Sequence, residues 1–204
     1  MNYLDRNEFN YAPSQEVVEA LKNFDINKLC FYTRIYDEGK KSILSVYLSE
    51  SYGIDEPQVL LGYGGEDILK QAVHYFLTQE DGNKTMHSNK YLGYNRISED
   101  IAIAALKSDA HYRNIARLMN ESRACFEAEI GTLPGFKVYE SVANFVLIKY
   151  PIVLKERLQK AFADEDYKVK FMNEPDINTH LRITLGRPEQ NRIVIDTIKK
   201  IALQ

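Results

Sequence analysis

Between Phe136 and Ile198 the apolar period switches repeatedly, and few folds accommodate that order. Phe136-Lys137-Val138-Tyr139 and Ala143-Asn144-Phe145-Val146-Leu147-Ile148 read as strands. The second is nearly continuous in apolar residues, which predicts a central strand covered on both faces. Ile152, Leu154, Leu158 and Phe162 then mark a helix, and Tyr167–Met172 and His180–Leu185 return to strand. Pro188 opens a last helix at its first turn, with Ile193, Val194, Ile195 and Ile198 predicted to face inward. The order ββαββα predicts a small α/β sandwich.

The rest of the chain reads as helices and connections. Residues through Pro13 form an irregular arm, and Ser14 can cap a helix carrying Val17, Val18, Leu21 and Phe24 on one face. A second helix is expected from about Asp37 to Tyr52, stopped by Gly53. Val59-Leu60-Leu61 reads as a short strand entering a Gly-rich turn, Gly62–Gly65, and a third helix follows with Ile68, Leu69, Ala72, Val73 and Phe76. Residues 78–94 are polar and aperiodic, the one obvious linker. Ser98–Leu106 is helical in pattern, and Asp109 can cap a long helix with Ile115, Leu118, Met119, Phe126 and Ile130. The predicted organisation is an N-terminal segment (1–77), a linker (78–94) and a C-terminal α/β domain (95–204).

Composition limits the partners. Of the 204 residues 45% are hydrophobic, enough for a core without metal or disulfide help. A net charge of −3 offers no basic field to nucleic acid or a membrane surface, and no apolar run is long enough to cross a bilayer. Met1–Arg6 lacks the basic start and apolar stretch of a signal peptide, so the expected location is cytoplasmic. Cys30 and Cys125 read as reduced thiols, small fillers of apolar space. His74, His87, His111 and His180 show no metal-ligand spacing, so no metal is expected.

Two features carry chemistry. Glycines in Leu61-Gly62-Tyr63-Gly64-Gly65-Glu66-Asp67 would let backbone N–H groups approach a phosphate at a helix start, or simply meet the dihedral needs of a turn. Arg182, in Leu181-Arg182-Ile183-Thr184, can clamp a carboxylate with two parallel hydrogen bonds, or be an ordinary exposed strand arginine.

Several segments, in order, are similar to histidinol-phosphate aminotransferases. Asn7-Glu8-Phe9-Asn10-Tyr11-Ala12-Pro13-Ser14 resembles that family's Asn-Glu-Asn-Pro-Tyr-Gly-Pro-Ser arm, and Phe31-Tyr32-Thr33 its Arg-Tyr-Pro segment. Gln58–Asp67 resembles its Gln-Val-Leu-Val-Gly-Asn-Gly-Ser-Asp-Glu turn. Ser141-Val142-Ala143-Asn144-Phe145 and Leu181–Gly186 resemble its Ser-x-Ala-Asn-Phe and Leu-Arg-Ile-Thr-Val-Gly motifs. The resemblance implies an aminotransferase small domain with the N-terminal arm and helices, the large cofactor-binding domain being largely absent. It further implies pyridoxal phosphate as cofactor. Backbone N–H groups of Gly65 and Glu66 would hold its phosphate, as would Tyr32 from a neighbouring subunit of a dimer. For the substrate it implies Arg182 on the α-carboxylate, Lys170 where the family often has a phosphate-binding arginine, and Asn7 and Tyr11 lining the pocket.

The departures matter as much. The family's Ser-Lys-x-x-x-Leu-Ala-Gly-x-Arg motif, which supplies the Schiff-base lysine, is absent. Ser88-Asn89-Lys90 echoes it, but Lys90 stands too close to Arg96. No catalytic residue is therefore assigned. The expectation is a shortened relative of an enzyme that exchanges amino groups between histidinol phosphate and 2-oxoglutarate, not active unaided and not holding the cofactor covalently. The alternative is a dimerisation or binding module, with a small phosphate-bearing or amino-acid-like molecule as the possible ligand.

Overall fold

The computed structural model describes residues 1–31, 35–77 and 95–204. The predicted linker 78–94 lies outside them. Contacts divide the chain into two compact units: a sheet unit of residues 1–12 and 110–204, and a helical unit of residues 13–109.

The sheet unit carries the ββαββα order. Its strands are β2 (Lys137–Val138), β3 (Phe145–Lys149), β4 (Tyr167–Phe171) and β5 (His180–Thr184), with helices α6 (Lys155–Asp164) and α7 (Pro188–Ala202) between and after them. A strand at the other end of the chain, β1 (Asn2–Leu4), completes a five-stranded sheet of order β1-β4-β5-β3-β2. It runs parallel to β4, while the other neighbours are antiparallel. The arm is thus not wholly irregular: its first residues cover a sheet edge that would otherwise leave unpaired N–H and C=O groups. The middle strand is β5, not β3, and its burial is the more complete of the two.

The sheet has one dry and one polar face. Register places Val146, Ile148, Leu181, Ile183, Val169 and Leu4 on the same side, all buried. They pack with Ile115, Met119, Phe126 and Ile130 of α5 (Asp109–Ile130), with Leu158 and Phe162 of α6, and with Val194, Ile195, Ile198 and Ile201 of α7. Spacings of three and four along each helix present one stripe to that face. Ile193, expected inward, is 40% exposed, because it sits off the stripe through Val194 and Ile198. Asp109 is the first residue of α5 rather than the residue before it. The opposite face carries Lys168, Lys170, Arg182 and Thr184, and there the candidate site forms.

The helical unit contains α1 (Gln15–Lys22), α2 (Ile43–Tyr52), α3 (Gly65–Leu77) and α4 (Arg96–Lys107). Ser14 caps α1, its hydroxyl accepting the Val17 amide. That hydroxyl also meets Ser108 Oγ at 2.7 Å, joining the start of α1 to the end of α4. No residue of α1 is fully buried, so its apolar face only half-covers. The second helix begins at Ile43, later than Asp37, because Ser42 and Ser45 form a reciprocal cap there. It ends as expected at Gly53, with φ 64°.

Val59–Leu61 is not a strand. Residues Glu56–Gln58 form a 3-10 turn. The Lys41 ammonium donates to the carbonyls of Glu56, Pro57 and Val59 at 3.3, 3.0 and 2.7 Å. A charged donor satisfies the carbonyls that a sheet neighbour would otherwise take. Cys30 and Cys125 are unpaired and exposed, so neither fills a core.

Two measurements probe this packing. Phe126 is fully buried among the sheet-unit residues, and Phe126→Ala is expected to lower unfolding free energy by about 3–5 kcal/mol in chemical denaturation. On the surface, Glu129 accepts both guanidinium N–H groups of Arg192 at 2.6 and 2.8 Å, and Lys199 Nζ at 2.7 Å. Hydrogen bonds from Arg192 and then Lys199 hold its carboxyl down at about 2, against an ordinary 4.5. A depressed acid stabilises the fold above its unfolded pKa and loses that contribution as pH falls through the folded one. Stability should therefore decline between pH 4.5 and about 2. Glu129→Gln should flatten that decline and cost about 1 kcal/mol at pH 7, read from denaturation midpoints across pH.

Candidate functional site

The Gly-rich turn belongs to the helical unit. Gly64 has φ 97°, a conformation that glycine adopts without strain. At Gly62 an added Cβ would come within 2.8–2.9 Å of the Ile68 and Asp67 side chains. These two glycines thus have structural reasons. Gly65, where α3 begins, has open space beside it. Backbone N–H groups at Gly65 and Glu66 fall among the unpaired donors of a helix start. The side chains here work against an added anion. Asp67 Oδ2 accepts the Tyr63 amide at 2.9 Å and Gln71 Nε2 at 2.9 Å. Those bonds, the Tyr63 amide first, hold the Asp67 carboxyl below its usual range, so a negative charge already faces the positive helix end. Glu66 spends its carboxylate on Lys70 at 2.7 Å. The space beside Gly65 is open, and the Lys70 ammonium near the turn is paired with Glu66. Tyr32 and Lys90 lie outside the described residues.

The four other predicted residues gather in the sheet unit. Arg182 on β5 and Lys170 on β4 are direct cross-strand partners on the polar face. They line an open depression of about 630 Å³ with Asp5, Arg6, Lys168 and Asn173. Arg182 Nη2 donates to the Asp5 carbonyl at 2.9 Å, and its guanidinium lies 5.7 Å from the Phe145 ring. Its Nε is buried and has no protein partner. The arginine is therefore half-buried and held in place, not a loose surface side chain.

The arm is clamped onto this face. Asn7 takes the left-handed region, φ 59°, which Asn tolerates better than most residues. Its amide donates to Thr184 Oγ1 at 2.9 Å, and Asn144 Nδ2 donates to its carbonyl at 2.9 Å. The Asn7 Oδ1 atom is buried without a partner. Tyr11 donates its hydroxyl to the Gly186 carbonyl at 3.0 Å. Burial and then the nearby Glu189 raise the Tyr11 pKa, so it stays a neutral donor.

Sequence reading overlooked Asp5, Thr184 and Asn144. Thr184 and Asn144 stand inside the quoted motifs, but nothing in their spacing reveals that they grip the arm. Asp5 and Arg6 enter the site because β1 pairs with β4. No group of three His, Cys, Asp or Glu side chains among the described residues could hold a metal ion. No described helix is long and apolar enough to cross a membrane.

Among the described residues of the turn, the backbone N–H groups at the start of α3 are the donors that a cofactor phosphate would meet. The turn meets it with acidic side chains. Lys41 Nζ, in the helical unit, is tied to three backbone carbonyls.

No family model matches the chain. Among curated proteins, a histidinol-phosphate aminotransferase of Clostridium botulinum is 31% identical over 200 residues, 92% of this chain and 53% of that protein. One from Acinetobacter baylyi is 33% identical over 98 residues, 48% of this chain and 27% of its own. The chain spans about half the length of the curated relatives it first matches. The fold is that of solved histidinol-phosphate aminotransferase from Sinorhizobium meliloti, in complex with pyridoxal-5'-phosphate, at TM-score 0.75 and 11% identity over 99% of this chain and 91% of that one. It is equally seen in L-threonine-O-3-phosphate decarboxylase of Porphyromonas gingivalis, at TM-score 0.65 and 10% identity over 100% of both chains. The shared architecture does not choose a reaction. By sequence, this chain is a shortened homologue of the histidinol-phosphate aminotransferases.

Proposed function

We propose that this chain keeps the family's anion-binding subsite in its sheet unit but does not transaminate by itself. The carrying observation is the Arg182–Lys170 pair, adjacent on neighbouring strands in one depression, with one guanidinium N–H still unpartnered. Arg182 supplies a planar fork for a carboxylate, and Lys170 a point charge for a second anionic group. The ligand class is a small phosphate-bearing or amino-acid-like molecule, with histidinol phosphate as the relative-derived candidate. Asn7 and Tyr11 act by holding the arm against the same face.

Pyridoxal phosphate supplies an electron sink to the enzymes that bind it, and needs a lysine amine to hold it and move the proton. The absence of the family's lysine motif from this sequence argues against that chemistry here. The reading also places the protein in the cytoplasm.

A second reading, an assembly module forming a dimer, has one observation behind it. Leu69, Val73 and Phe76 lie on one stripe of α3 and are 67%, 55% and 75% exposed. Concentration-dependent light scattering decides it: mass that stays monomeric over the accessible range removes this reading.

Two results are expected for the first. Calorimetric titration with histidinol phosphate should show saturable binding, weakened about tenfold or more by Arg182→Ala. Equal affinity of the variant would refute the site. Mixed with pyridoxal phosphate and treated with borohydride, the protein should yield no adduct at a single lysine; a stoichiometric one would refute the claim of inactivity.

A further inference from the structure

The depression contains a charge that its anion-binding role does not use. Asp5 is the acid that lines it, with a side chain only 9% exposed, while the exposed Glu174 also feels Lys170 and Arg182 from outside the lining. One carboxylate oxygen, Oδ2, lies 3.5 Å from Lys168 Nζ and 3.9 Å from Arg6 Nε. The other, Oδ1, is buried without a partner. The two compensating cations are 51% and 73% exposed. Water and salt screen exposed charges strongly and buried ones much less. The Asp5 charge therefore acts on the depression more strongly than a count of charges suggests. Its place is fixed as well, because its own carbonyl holds Arg182.

We propose that Asp5 is a specificity-determining residue, whose buried charge makes the depression prefer anions that carry an adjacent ammonium over bare anions of the same shape. The inference rests on the reading of the Arg182–Lys170 site given above. It acts through the field and needs no direct contact with the ligand. A bare anion meets the attraction of Arg182 and Lys170 and the repulsion of Asp5 together. A ligand with an ammonium beside its carboxylate turns that repulsion into attraction.

Succinate and L-aspartate are the probes, since they share a four-carbon dicarboxylate and differ by one ammonium. Titration of the purified chain is expected to show aspartate bound about tenfold tighter than succinate, the size of effect one partly buried charge produces. Asp5→Asn should bring the ratio near unity by tightening succinate and weakening aspartate, and Asp5→Glu should restore the preference. Lys168→Met, which removes the nearest compensating cation, should widen it. A purely structural Asp5 would weaken both ligands alike in Asp5→Asn, and that outcome, or an unchanged ratio, overturns the proposal. Should Asp5→Asn fail to fold, an unchanged ratio in Lys168→Met overturns it equally. If Arg182→Ala leaves both affinities intact, the site itself is misplaced. If neither probe binds the wild-type chain while histidinol phosphate does, the preference proposed here falls and the site stands; if none of the three binds, both readings fall.

Discussion

The pairing of β1 with β4 is the contact on which the sheet unit depends. Residues 2–4 lie alongside residues 167–169, at the far end of the sequence. Closing so long a loop costs entropy, and a three-strand-residue match cannot offset it alone. Other contacts share that cost. Leu4 is fully buried in the common core, the amino terminus pairs with Asp166, and Gln190 reaches Asn2 Oδ1 at 3.1 Å. Once those are made, the chain must leave the sheet at Asp5, directly beside Arg182. The left-handed turn at Asn7 then folds the arm back under Asn144 and Thr184.

The consequence is a polar face assembled from both ends of the chain. Arg182 and Lys170 come from the C-terminal strands, and Asp5 and Arg6 from the arm. The three residues Asp5, Asn7 and Arg182 each keep one buried polar atom without a protein partner. Such atoms are costly when buried, and these three meet where the arm joins β5.

The helical unit resolves its polar groups differently. Burial opposes the charge on Glu56, yet the Ser45 hydroxyl at 2.5 Å, the Lys41 amide at 3.0 Å and the lysine charges bring its pKa below the ordinary value. Glu99 is more deeply buried and goes the other way. Desolvation raises its pKa, the Ser42 hydroxyl offsets only part of that, and neither oxygen meets a donor in hydrogen-bond geometry. The same side chain is thus made easier to ionise on one helix flank and harder on another, according to the donors within reach.

Local patterns in the sequence determined the ββαββα order, the caps at Ser14 and Gly53, and the α5 and α7 stripes. Each depends on residues a few positions apart, so period and capping chemistry suffice. The motif order likewise made the family visible, and with it Arg182, Lys170, Asn7 and Tyr11 as residues to place. Tertiary structure alone decided that an apolar triplet at 59–61 is no strand, since a lysine eighteen residues earlier takes the Val59 carbonyl. It alone turned the first residues into an edge strand, moved the middle of the sheet to β5, and set Asp5 beside Arg182. Those outcomes depend on which distant donors and acceptors meet, and a one-dimensional pattern does not record such meetings.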